Sequence, residues 1–271
     1  MAPYAGRIKL CVLDTAGVVC DGPQDLRHMF PGDDLKGCKA PVIPFSKVLM
    51  NHNITVDWAT IRKPMGVFKR THLQMLLEDP KVAAPFQNEY GHPWTEQDLD
   101  ALFEEFVPLL NEVIVHPDLA RPIDGTIECV AELRQAGISV GCDTGYTKFA
   151  SEALRQVLKE KYGLEFDVTT DSETVKGRPS PFMIFDCMNK ANVWPVEAVV
   201  KVDDTAAGMW EGHNAGAWTI GLYATGSNDY EQLAAAKPDY LVPSIKHVSE
   251  VILCHIEPRL RKGERPGQGI H

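Results

Sequence analysis

Residues 8–15 read IKLCVLDT and residues 198–205 read AVVKVDDT. Each is a short, nearly continuous apolar run that stops on acidic and hydroxyl side chains. Residues 137–144 (GISVGCDT) repeat the pattern, and 218–223 (WTIGLY) supply another apolar run. Runs of this length with no polar face are how strands buried on both sides of a parallel sheet read. Amphipathic stretches at 124–136 and 147–162 lie between them, each followed by a glycine, Gly137 or Gly163, that suits a helix stop. Strands alternating with helices predict an open, doubly wound α/β sheet of Rossmann-like form.

The interval 22–117 has a different character. It lacks such strand runs, and APVIPFSKVLMNHN (40–53), PMGVFKRTHLQMLLED (64–79) and TEQDLDALFEEFVPLLNEVI (95–114) read as helices. The expected organisation is an α/β core from 1–21 and 118–271, with an α-helical cap at 22–117 inserted after the first strand. Residues 21–37 (DGPQDLRHMFPGDDLKG), rich in Gly, Pro and Asp, read as a loop. The polar stretch 258–271 reads as a flexible tail.

Length and composition bound the function. A chain of 271 residues, 44% of them hydrophobic, can bury the core of two modest domains. A formal net charge of −10 offers no general attraction to nucleic acid or to anionic membrane, so neither partner is expected. The seven cysteines are scattered and read as reduced core thiols, and no segment approaches a membrane-spanning length. A cytoplasmic protein is the expectation.

In open α/β sheets ligands bind beyond the carboxyl ends of the strands. Those ends supply Asp14, Thr144, Asp203 and Asp204. Taken singly, each reads equally well as the N-cap of the following helix. Three carboxylates converging on one edge, however, would repel one another unless a cation sat among them, and hard oxygen ligands suit Mg²⁺.

The order LDTAG, GCDTG, KGRP, VDDTAAG resembles the haloacid-dehalogenase superfamily across most of the chain. The resemblance implies that Asp14 is a nucleophile toward phosphorus and a Mg²⁺ ligand, with the Ala16 carbonyl, Asp204 and the adjacent Asp203 completing the metal site. It also implies that Thr144 bonds the transferring phosphoryl group and that Arg178 offsets its charge; otherwise Arg178 reads as a surface salt bridge. A carboxylate attacks an anionic phosphorus centre only where cations neutralise the equatorial oxygens, so the chemistry fits.

The superfamily's phosphate-ester hydrolases usually carry a second Asp two positions after the nucleophile, to protonate the leaving alkoxide. Here that position is Ala16. In KPMGVFKRTHLQML, Met65, Phe68, Lys69, His72 and Leu76 fall on one helical stripe, so Lys69 interrupts what should be an apolar face. A desolvated lysine has a depressed pKa and can condense with a carbonyl as an imine. A protonated imine β to phosphorus is an electron sink, which lets carbon leave as an enamine without an acid at position 16. The plainer alternative is a snorkelling Lys69 beside a His72 packed at a helix edge.

RKPMG with VFKRTH, the DTAG turn, Gly37–Cys38 before Ala40–Pro41, and TGYT at 144–147 resemble the phosphonoacetaldehyde hydrolase family. That resemblance implies a Schiff-base role for Lys69 and proton shuttling by His72. It places Cys38, Met65, Gly66, Gly145 and Tyr146 around a small phosphonate substrate, and it implies a homodimer formed through the cap. This chain departs from the family at Val18, usually Thr, at Asp203–Asp204 followed by Gly208 where a second Asp is usual, and in the insertion at 21–37. Two alternatives stay open: a phosphatase acting on a small phosphate ester, and an inactive relative serving as a binding module.

Overall fold

The computed structural model describes residues 4–22, 26 and 37–267. Six parallel strands form one sheet: β1 (Leu10–Asp14), β2 (Ser139–Asp143), β3 (Val168–Thr169), β4 (Val199–Asp203), β5 (Trp218–Leu222) and β6 (Tyr240–Val242), in the order β3-β2-β1-β4-β5-β6. That is the doubly wound order, and its winding reverses between β1 and β4. The register sets Asp14 beside Asp143, and the aligned ends of β1 and β4 bring Asp203 to the same edge.

The strands are buried on both faces, so alternate side chains serve different layers. Leu10 and Val12 pack with Ile184 and Cys187 on one side, while Cys11 and Leu13 join the larger core on the other. The strand expectations for 8–15, 137–144, 198–205 and 218–223, and the helix stops after 124–136 and 147–162, match the structure. Helices α6 (Thr126–Gln135) and α7 (Lys148–Tyr162) precede Gly137 and Gly163, both at positive φ, where a residue without Cβ adopts the left-handed turn cheaply.

Among the described residues between β1 and α6 stand five helices: α1 (Val42–Asn51), α2 (Trp58–Arg62), α3 (Lys69–Glu78), α4 (Pro80–Tyr90) and α5 (Glu96–Ile114). The two crossings between these helices and the sheet run side by side, since Cys20 bridges to Pro122 and the Ile123 amide donates to the Val19 carbonyl. Asp21, in left-handed backbone, accepts from the Lys39 and Ala40 amides and ties the first crossing to the start of α1. The remaining helices, α8 (Phe182–Ala191), α9 (Ala206–Ala215), α10 (Tyr230–Ala235) and α11 (248–261), cover the sheet.

Two expectations are corrected. The helix read over 64–79 begins only at Lys69; residues 63–67 form turns in which Gly66 has φ +97°, so Met65 precedes the helical stripe. The stretch from 258 is not a free tail through 267: Leu260 is buried, the Arg259 guanidinium lies over the Trp218 ring, and the Gly267 amide donates to Asp239. Helix α4 was not foreseen. Most of the 21–37 loop, and residues 268–271 of the expected tail, lie outside the described residues.

Candidate active site

β1 delivers Asp14 to the sheet edge, and the chain then turns sharply: the Val19 and Cys20 amides both donate to the Thr15 carbonyl. Gly17 allows this turn to lie against the end of β4, because a Cβ there would sit 2.5 Å from Asp204 Oδ2 and 2.8 Å from Cys38 Sγ. A nearly closed cleft of about 10 Å³ lies here, lined by Asp14, Ala16, Thr144, Gly145, Tyr146 and Arg178 from the core, with Thr205, and by Met65, Gly66 and Lys69 from the helical layer.

The two halves approach closely at two glycines. A Cβ on Gly145 would lie 2.6 Å from the Val67 carbonyl, and one on Gly66 would lie 2.4 Å from Thr205 Oγ1. Arg178 Nη1 donates to the Gly66 carbonyl at 3.2 Å, so the same guanidinium touches both halves.

Lys69 is the first residue of α3 and is buried. Burial pushes its ammonium down from 10.5 to about 8, against the opposing pull of Asp14. A position at a helix N-terminus disfavours positive charge further. The Nζ lies 5.1 Å from the centre of the Tyr146 ring, which favours the charged form only weakly by comparison.

His72, one turn on, does not line the cleft. It is fully buried against Phe45, with ring centroids 4.2 Å apart, and its Nε2–H donates to the Ile61 carbonyl at 2.7 Å. Burial, with Lys69 nearby, holds the ring well below the ordinary histidine range and therefore neutral. Its Nδ1 is a buried acceptor without a partner among the described residues. Cys38 also stands behind the cleft, with its thiol directed at Asp204 Oδ2. Thr144 Oγ1 accepts from the Tyr146 amide at 3.2 Å, and Tyr146 itself is buried.

Oxygens of Asp14, Asp203 and Asp204 lie within 4.8 Å of one another. Burial pushes the Asp14 carboxyl up to about 6 and raises Asp204 well above the carboxylate range, with Asp14 and Asp203 adding to the Asp204 shift. Asp204 Oδ1 has no hydrogen-bond partner among the described residues. A buried carboxylate cluster with an open oxygen is a site that a divalent cation with oxygen ligands fits. Asp203 is the less available member: Oδ1 accepts from the Thr205 amide and hydroxyl, and Oδ2 lies 3.1 Å from Lys201 Nζ.

Arg178 is no surface residue. It is buried, 2.7 Å from Asp14 Oδ1, 2.5 Å from Asp143 Oδ1 and 3.0 Å from Glu211 Oε2. Three members of this ion cluster were not singled out from sequence: Asp143, Lys201 and Glu211. Lys201 carried a signal, a charge in the middle of the apolar run VVKVDD, and Asp143 stands next to Thr144 in GCDTG. Glu211 sits on a helix among unremarkable neighbours and carried none.

A family model described as haloacid dehalogenase-like hydrolase matches residues 63–222. A phosphonoacetaldehyde hydrolase of Paraburkholderia phytofirmans is 30% identical over 282 aligned positions, covering 96% of this chain and 99% of that protein. The chain belongs to the haloacid dehalogenase-like hydrolases, within the phosphonoacetaldehyde hydrolase family. A relative of the same description from Bacillus cereus is 36% identical over 69% of this chain and 70% of its own length. The crystal structure of a phosphonoacetaldehyde hydrolase-like protein from Oleispira antarctica superposes with a TM-score of 0.87 at 27% identity, covering 98% of each chain. No helix among the described residues of this hydrolase is long and apolar enough to cross a membrane.

This chain's departures from the family pattern at 203 and 208 have a steric explanation. A Cβ at Gly208 would lie 1.9 Å from Asp203 Cγ, so the Asp203 carboxylate occupies the space above a residue that must stay glycine.

Proposed function

We propose that this hydrolase cleaves the carbon–phosphorus bond of phosphonoacetaldehyde, giving acetaldehyde and phosphate. The observation that carries the reading is a buried lysine of depressed pKa lining the same cleft as a carboxylate nucleophile that has Ala16, not an acid, two residues on.

The neutral Lys69 amine adds to the aldehyde carbon and loses water, leaving a protonated imine. Asp14 then attacks phosphorus, and the electrons of the breaking carbon–phosphorus bond move into the imine to give an enamine. Water hydrolyses the aspartyl phosphate, releasing phosphate and restoring Asp14. The enamine takes a proton on carbon, and a second water hydrolyses the resulting imine to acetaldehyde and free Lys69. One water is made and two are used, so the net reaction consumes one.

Arg178 faces the phosphoryl oxygens from beside Asp14, and Thr144 supports them from the end of β2. A neutral His72 with an open Nδ1 suits relay of the protons that Lys69 gains and loses. A magnesium ion held by Asp14, Asp204 and the Ala16 carbonyl, with Asp203 alongside, would supply the charge that brings an anionic phosphonate onto a carboxylate.

The test is acetaldehyde and phosphate release from phosphonoacetaldehyde, with and without Mg²⁺, beside a Lys69→Arg variant. Equal release of both products that needs the metal and Lys69 supports the proposal. Turnover of phosphate esters that ignores Lys69, with no acetaldehyde, would leave a phosphatase.

A further inference from the structure

Asp143, in the ion cluster behind Asp14, takes no part in the chemistry above. Asp143 closes β2 and is fully buried. Its two oxygens accept from Lys201 Nζ at 2.5 and 2.6 Å, and Oδ1 also accepts from Arg178 Nη2 at 2.5 Å. Lys201 is itself fully buried and held between Asp143, Asp203 and Glu211. The Asp143 carboxylate is therefore fixed from behind by a cation that cannot swing into solvent.

The consequence lies in how Arg178 distributes its donors. A guanidinium offers five N–H groups in a planar fork. Nε bonds Glu211, Nη2 is divided between Asp14 and Asp143, and one N–H of Nη1 bonds the Gly66 carbonyl. The second N–H of Nη1 has no partner among the described residues, and Arg178 lines the cleft. Without Asp143, Nη2 would keep Asp14 as its one hydrogen-bond partner, and the guanidinium could swing further onto that carboxylate, toward the two-pronged pair that arginine and carboxylate favour. That pair would mask the nucleophile and turn the remaining donor away.

We propose that Asp143, anchored by Lys201, is a positioning residue: it keeps Arg178 from pairing fully with Asp14 and holds its remaining N–H toward the phosphoryl group. The inference rests on Asp14 acting as the nucleophile toward phosphorus.

The test combines Asp143→Asn with Arg178→Met in the full chain. Asp143→Asn is expected to lower kcat/KM about a hundredfold, the scale of a small misplacement of a reacting group, and to weaken binding of inorganic phosphate measured by calorimetry. In the Arg178→Met background the same substitution should change neither quantity further, because its effect passes through Arg178. Equal losses in both backgrounds, or unchanged phosphate binding in folded Asp143→Asn, overturn the proposal. Should Asp143→Asn not fold, Asp143→Asn with Lys201→Gln removes one charge of each sign and is read in the same way. If the wild-type chain releases no acetaldehyde, the functional reading fails by itself, and phosphate affinity still decides the part played by Asp143.

Discussion

Raising the pH from 7 to 9 should increase the rate of imine formation about tenfold, and the reason is the burial of Lys69. With a pKa of about 8, roughly one-tenth of the Lys69 side chains are free amine at pH 7 and roughly nine-tenths at pH 9. An ordinary lysine at 10.5 would be about 300-fold less available at pH 7, a difference of about 3 kcal/mol. The assay is kcat/KM for phosphonoacetaldehyde across pH 5 to 10, paired with borohydride trapping and mass analysis of Lys69 at each pH. The same shift has a stability consequence of defined sign. Below pH 8 both folded and unfolded chains hold the Lys69 proton, and the folded state bears the whole cost of a buried ammonium. Between 8 and 10.5 only the unfolded chain still binds it, so stability rises with pH and the cost disappears. Lys69→Met should therefore be more stable than wild type at pH 7, by up to about 3 kcal/mol, with the gain shrinking as pH rises. A trapping profile with its midpoint near 10, or one flat between 7 and 9, would refute the reasoning.

Other outcomes follow from the packing. Gly208→Ala drives a methyl into Asp203 and should cost about 1–3 kcal/mol while raising the Mg²⁺ concentration needed for half-maximal activity; denaturation and a metal titration matching wild type would contradict this. Gly66→Ala, at φ +97° and 2.4 Å from Thr205 Oγ1, should lower kcat/KM at least about tenfold and move the borohydride midpoint toward an ordinary lysine; an unmoved midpoint speaks against it. Leu260→Ala should destabilise by about 2–5 kcal/mol in urea unfolding, whereas a change well under 1 kcal/mol would mean that the C-terminal stretch contributes little.

The sheet was legible because burial on both faces leaves strands that are nearly continuous apolar runs, with Lys201 and Thr219 as interior exceptions, and because such strands end in acidic and hydroxyl residues. Asp14, Thr144, Asp203 and Asp204 could be picked out for that reason alone. Elements with few residues left no such trace: β3 has two residues and β6 three, too short for any pattern. Helix α4 was hidden by Pro80 and Pro85, although Pro80 starts the helix and Asp79 caps it. The segment from 258 misled through composition, since Leu260 is one apolar residue among five that are otherwise basic or proline, and the neighbouring Arg259 is held over Trp218 and Tyr240, far away in sequence. Asp143 was visible but indistinguishable from a strand-end cap. Its meaning comes from Lys201, 58 residues on, which the sheet brings alongside.

The placement of the two reactive groups on different halves ties chemistry to docking. Asp14 belongs to the sheet, and its burial and pairing with Arg178 arise within the core. Lys69 belongs to α3, yet the groups that surround it, Tyr146 and Asp14 among them, belong to the sheet side. Its desolvation is thus a property of the joined halves and not of the helix alone. Were the helical layer to withdraw, water would reach the ammonium and its pKa would return toward 10.5, leaving little free amine at neutral pH. Arg178 would lose the Gly66 carbonyl in the same movement. The surroundings of Lys69 and of Arg178 are therefore both completed by one contact, the turn at Gly66 resting on Gly145 and Thr205. On the proposed reaction, an aldehyde that entered before docking would meet a protonated lysine, so imine formation would be confined to the joined halves, where water is excluded.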